Sequence, residues 1–131
     1  LLNVIDSFHH IKKFLELAES SECPLFIAYS QPNGKFKYVN QPFADEMQYT
    51  KDEMCSTPWT KFMDKDEAEK VKTDYFKGLE IKKSFKNYRT VYIRKDGSKL
   101  DLIWFTSPVY TEVDKLTLCF AVKQQELLED E

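Results

Sequence analysis

Residues 85–110 read FKNYRTVYIRKDGSKLDLIWFTSPVY, and this stretch decides the fold. Its first run, Phe85 to Arg94, is dense in Tyr, Val and Ile. Its second, Lys99 to Tyr110, alternates: Leu100, Leu102, Trp104 and Thr106 fall on one face, Asp101, Ile103, Phe105 and Ser107 on the other. Asp96-Gly97 between two such runs is a strong hairpin signal, because these residue types tolerate the positive φ of a tight reversal. A third run follows from Leu116 to Gln124. Three sequential antiparallel strands form a sheet, and an apolar sheet face has to be covered.

Working outward, Leu1 to Glu19 has helical period. Leu1, Val4, Phe8, Ile11, Leu15 and Ala18 recur at spacings of three and four, a heptad seam that Ile5 and Phe14 widen. Two readings stay open and can coexist: a helix laid on its own domain, or a dimerisation helix. The chain opens inside this apolar pattern, so the helix is read as continuing from a longer protein. After a break at 20–24, Leu25–Ser30 and Phe36–Val39 form a hairpin around Asn33-Gly34.

A cluster of helix starts comes next. Asn40 precedes Gln41-Pro42-Phe43 as an N-cap, with Pro in the first turn. Thr50-Lys51-Asp52-Glu53 and Asp64-Lys65-Asp66-Glu67 read as capping boxes. The second opens a longer helix to about Leu79, with Ala68, Val71, Tyr75 and Leu79 as its buried stripe. If both strand groups share one sheet, these helices cross one face, and the first helix is free to cover the other, where Ile103 and Phe105 need cover. The acidic segment 126–131 reads as an exit helix or a frayed tail.

Length and composition narrow the class. The chain has 131 residues, 42% hydrophobic and 31% charged, which fits one globular domain. A net charge of −3 argues against direct non-specific nucleic-acid binding. No apolar run approaches the roughly 18–20 residues that span a bilayer. Cys23, Cys55 and Cys119 are widely spaced among apolar residues and read as reduced core thiols of a cytoplasmic protein, with no metal site. Ten Phe, seven Tyr and two Trp can fill a core or line a cavity.

The distributed motifs resemble the PAS domain of sensor kinases, diguanylate cyclases and transcription regulators. Pro24-Leu25-Phe26-Ile27, Asn33-Gly34-Lys35 and Tyr38-Val39-Asn40-Gln41-Pro42-Phe43 resemble its opening hairpin and first helix. Tyr49-Thr50-Lys51-Asp52-Glu53-Met54 and Phe62-Met63-Asp64-Lys65-Asp66-Glu67 are similar to its later helix entries, and Arg94-Lys95-Asp96-Gly97-Ser98 and Thr106-Ser107-Pro108-Val109 to its last hairpin. The resemblance implies an α+β fold with a five-stranded antiparallel sheet, order 2-1-5-4-3, short helices cupping one face, and an N-terminal amphipathic helix. The expected divisions are 1–19 as dimerisation helix, 20–124 as PAS domain and 125–131 as linker or tail. The implied function is a regulatory module of the kind found in two-component signalling, dimerising and relaying a signal to an output domain. The expected homodimer uses Val4, Phe8, Ile11 and Leu15 of the helix with Ile103 and Phe105 of the outer sheet face. The family's usual Asp-x-Thr exit is replaced by Lys123-Gln124-Gln125-Glu126.

Cofactor-bearing versions of the family are disfavoured. Haem needs an axial ligand on the long helix, but His9 and His10 lie on the first helix. Flavin photosensors need a Cys where Trp59 stands, and Cys55 is four positions early. Cys55 is a remote candidate for a coumaroyl thioester, and the basic pocket residues of citrate-type sensors are not evident. What remains is an apolar pocket for a small ligand, expected to be lined by Phe43, Met47, Trp59, Phe62, Tyr75, Trp104 and Phe120, with Tyr75 or Trp104 as polar handle. The competing reading is that these side chains simply fill the core. No nucleophile–base pair stands out, and the carboxylates Asp64, Asp66 and Glu67 read as helix caps. The alternative function is a small stand-alone α+β enzyme with a cone-like pocket.

Overall fold

The computed structural model of the chain describes residues 2–110 and 113–124, with side chains from Ser7 onward. Helix α1 (Leu2–Glu19) precedes strands β1 (Phe26–Ser30) and β2 (Phe36–Val39). Helices α2 (Gln41–Met47) and α3 (Lys51–Ser56), a 3-10 turn (Trp59–Phe62) and helix α4 (Lys65–Ile81) follow. Strands β3 (Phe85–Ile93), β4 (Lys99–Tyr110) and β5 (Lys115–Lys123) complete it. The sequence expectations for Leu1 and for 125–131 fall outside the described residues.

The five strands form one antiparallel sheet in the order β2-β1-β5-β4-β3. The two hairpins join where β1 pairs with β5, with Ala28 opposite Cys119. The alternation of β4 is realised: Leu100, Leu102 and Trp104 are buried under the helices, while Asp101 and Phe105 are exposed. Phe43 on α2 is the keystone of this core. Its ring lies 5.4 Å from Phe26, 5.8 Å from Phe36, 5.8 Å from Trp104 and 6.1 Å from Tyr92, with no exposed surface. Truncating so enclosed a ring costs about 3–5 kcal/mol in proteins generally.

The Lys95–Ser98 turn closes as the sequence suggests, but with positive φ at Gly97 alone (+89°). Asp96 instead shapes the turn with its carboxylate, which accepts from the Ser98 amide (2.9 Å) and hydroxyl (2.6 Å). Helix α2 then holds the hairpin from below. The Lys95 amide donates to the Met47 carbonyl (3.1 Å), and Arg94 Nη2 lies 2.8 Å from Glu46 Oε2, whose other oxygen meets Lys123 Nζ at 3.0 Å.

Two expected caps do not form. The Thr50–Glu53 capping box forms. Asn40, however, makes no side-chain cap. Its buried amide accepts from the Ile27 amide (2.9 Å) and donates to the carbonyls of Ala18 (2.8 Å) and Leu25 (2.9 Å). Asp64 likewise makes no side-chain cap, and Glu67 turns away from the helix start to accept from the Val91 amide at 2.6 Å. Asn40 and Glu67 each satisfy a tertiary amide that would otherwise be orphaned.

Helix α1 does not lie across the outer sheet face. Among the described side chains its seam is buried only at Ala18, and exposure climbs through Leu15 (50%) and Ile11 (57%) to Phe8 (71%). The side chain of Val4 lies outside those described. Glu19 fixes the root of the helix, accepting from Tyr38 Oη, Lys51 Nζ and the Gln41 amide. Burial works against this carboxylate, but Lys51 and Tyr38 outweigh it and hold its pKa below the ordinary value.

Candidate functional site: an aromatic cavity under helix α4

Helix α4 stands off the inner sheet face and leaves a cavity of about 80 Å³. Trp59 from the 3-10 turn, Tyr75 and Leu79 from α4, Tyr92 from β3, Trp104 from β4 and Cys119 from β5 line it. The amphipathic period of α4 accounts for the wall: Ala68, Val71, Tyr75 and Leu79 are all half-buried. Gly78 lets α4 approach β3, since a Cβ there would stand 2.7 Å from Phe85 Cε2.

Of the seven expected pocket residues, Trp59, Tyr75 and Trp104 line the cavity. Phe43, Met47 and Phe62 are buried in the adjoining core instead. Phe120 is a correction. It stands opposite Phe105 on β4 and Ile27 on β1, on the outer face of the sheet, while its neighbours Cys119 and Ala121 point inward. Period-two alternation makes the two faces exclusive.

The polar handles also differ from expectation. The Trp104 indole N–H donates to Thr90 Oγ1 at 2.6 Å, so this tryptophan is satisfied within the fold. Thr90 sits diagonally across the β3–β4 ladder, where Tyr88 pairs with Trp104 and Thr90 with Leu102. Trp59 Nε1 and Tyr75 Oη, by contrast, are buried without a hydrogen-bond partner among the described residues. Their rings meet edge to face at 5.3 Å. Burial pushes the Tyr75 hydroxyl up to about 12, and the neighbouring Thr117 hydroxyl offsets this only in part. Burial likewise raises the Cys119 thiol to about 11, with Ser30 Oγ at 3.4 Å. Tyr75 and Cys119 are therefore uncharged at neutral pH, and the charged lining residues are Asp74 and Lys83. Asp74 accepts from Tyr88 Oη, and Lys83 Nζ stacks over the Phe85 ring at 4.9 Å.

Ser30, Thr90, Thr117 and Cys119 were not read as site residues from sequence. Only the strand phase, with Thr90 two places from Tyr92 and Thr117 two from Cys119, signals that they face inward.

The volume bears on the larger cofactors. About 80 Å³ is well below the roughly 300 Å³ at which drug-sized pockets begin, so haem or flavin does not fit this conformation. His9 and His10 are exposed on α1, and Cys55 is half-buried on α3. Asp101 is exposed away from the cavity, as alternation requires. Among the described residues, no group of three or more His, Cys, Asp or Glu side chains is placed to hold a metal ion.

A family model described as "PAS domain" matches residues 22–123. The chain belongs to the PAS domain family. A search of curated proteins returns no match. Solved structures share the fold. The PAS domain of an HTR-like protein from Haloarcula marismortui is 22% identical, with a TM-score of 0.73, covering 93% of this chain and 98% of that one. A domain of a sensory box sensor histidine kinase/response regulator from Geobacter sulfurreducens is 14% identical, with a TM-score of 0.70, covering 88% and 95%. A LOV protein from Rhodobacter sphaeroides is 18% identical, with a TM-score of 0.65, covering 86% of this chain and 65% of that one.

Proposed function

We propose that this chain is a sensory signalling module that forms a homodimer and passes the state of its cavity, through α1, to an output domain in a longer protein. Membership of the PAS family supports the sensory part, as does an interior that offers binding surface and no reacting pair. The observation that carries the dimer is the uncovered seam of α1, with Phe8, Ile11 and Leu15 each at least half exposed. The outer sheet face presents Phe105 and the half-buried Ile103, Phe120 and Val122. Two such apolar surfaces on one protomer suit a second copy.

A continuous set of contacts supports the relay. Trp104 in the cavity wall packs on Phe43 of α2. Asn40, at the start of α2, holds the carbonyl of Ala18 at the base of α1. A ligand that shifted Trp104 would thus press on the residues that set the direction of α1. The three free cysteines suit a reducing compartment such as the cytoplasm.

Native mass spectrometry of the purified protein tests this reading. A dimer that retains a small molecule, or is stabilised thermally by members of an apolar ligand panel, is expected. No bound molecule and no thermal shift across the panel would remove the ligand from the account.

A further inference from the structure

Resting on the cavity as the sensory site, the geometry points to its ligand class: a small uncharged molecule with a carbonyl-type oxygen, held by Trp59 Nε1–H and Tyr75 Oη–H. An indole N–H can only donate, so no neighbouring donor can satisfy it. Trp59 is 3% exposed, its nitrogen lacks a partner, and it lines the same cavity as the unpartnered Tyr75 hydroxyl. The fold shows what it does with this demand elsewhere, since Trp104 receives Thr90 Oγ1 at 2.6 Å. Native proteins rarely leave buried donors unmatched, so a paired omission in one cavity marks a place for an external acceptor.

Size and charge restrict the class further. The cavity of about 80 Å³ is roughly half the 150 Å³ of an engineered cavity that takes benzene, which suggests a compact ligand of about three to five non-hydrogen atoms. A charged ligand would lose its hydration in a cavity whose two charged side chains are already engaged. Asp74 is engaged by Tyr88, and Lys83 by the face of Phe85. The rest of the lining is mostly aromatic and aliphatic, interrupted by the hydroxyls of Ser30, Thr90, Thr106 and Thr117 and the Cys119 thiol, and suits the carbon portion of a short ketone, ester or amide.

The chain has two tryptophans, so proton–nitrogen correlation spectra show one indole signal for the candidate site and one internal reference. The probes are 2-butanone, its isostere 2-methyl-1-butene, in which a methylene replaces the oxygen, and butyrate. Butanone is expected to move the Trp59 indole signal downfield saturably, leaving Trp104 nearly fixed, and the alkene is not. Tyr75→Phe is expected to weaken butanone about five- to tenfold, the worth of one neutral hydrogen bond, without changing alkene affinity. The wild-type titration stands even if that variant misfolds. A Trp59 signal unmoved by butanone, as a trapped water would produce, overturns the inference, as does tighter binding of butyrate. Equal binding of ketone and alkene overturns the acceptor assignment while leaving the cavity as a binding site. Binding of none of the three overturns both.

Discussion

Gln48 and Asp96 bond each other twice. The Gln48 side-chain amide donates to Asp96 Oδ2 at 3.1 Å, and its carbonyl accepts from the Asp96 backbone amide at 3.0 Å. Gln48 is the left-handed residue that ends α2 (φ 68°), and Asp96 is in the β3–β4 turn. The pair therefore joins the end of the helix carrying Phe43 to the hairpin carrying Trp104, the two rings that separate core from cavity.

Asp96 has a defined pH signature. Bonds from the Ser98 hydroxyl and amide, then from Gln48, lower its pKa from 3.8 to about 2. A carboxylate depressed in the folded state contributes stability above its unfolded pKa and loses it as pH falls through the folded value. Hairpin stability from this group is thus present above about pH 4 and fades towards pH 2. Carboxyl-carbon NMR should place the Asp96 midpoint near 2, and a midpoint at the ordinary 3.8 would contradict the bonding described.

Thr90→Val tests the polar seat of Trp104. The substitution keeps the shape and removes the acceptor of a buried N–H, which costs about 1–3 kcal/mol. Urea denaturation should show that loss, with the Trp104 indole signal moving upfield. Unchanged stability would mean that the 2.6 Å bond is not formed in solution.

Asn40→Ala removes three side-chain hydrogen bonds and leaves the Ile27 amide without that partner. At about 1 kcal/mol for each bond, plus a cavity, a loss of about 3 kcal/mol or more is expected in urea melts. Hydrogen exchange should rise at the Ala18–Glu19 junction before it rises in the sheet. Uniform exchange throughout would argue that Asn40 does not tie α1 to the domain.

The legibility of this fold in its sequence varied with physical cause. Strand β4 was readable to the residue because polar and apolar side chains alternate from Lys99 to Trp104, except at Ile103. The β5 run Leu116–Val122 is apolar on nearly every residue, so its phase is invisible, and Phe120 was placed inside by size. The inner face there takes the small Thr117, Cys119 and Ala121, beside the bulk of Trp104, Phe43 and Tyr75. Asn40 and Asp64 carried local cap signals, but for Asn40 partners distant in sequence prevailed, and Glu67, the other half of the Asp64 box, was drawn to Val91. The cavity was legible only through its aromatics Trp59, Tyr75 and Trp104, because an unfilled volume and two unmet donors are properties of packing rather than of residue order.

In the proposed signalling unit, α1 and the outer sheet face hold two copies together. Sedimentation velocity at high micromolar concentration tests it most directly, on wild type, Phe8→Glu and Ile11→Glu. Losing one buried anchor typically costs about 2 kcal/mol or more, roughly thirtyfold in affinity. Because both side chains are exposed in the protomer, the variants should fold as wild type does. The account predicts a wild-type dimer and variants that dissociate; a wild type that sediments as a monomer at that concentration contradicts it.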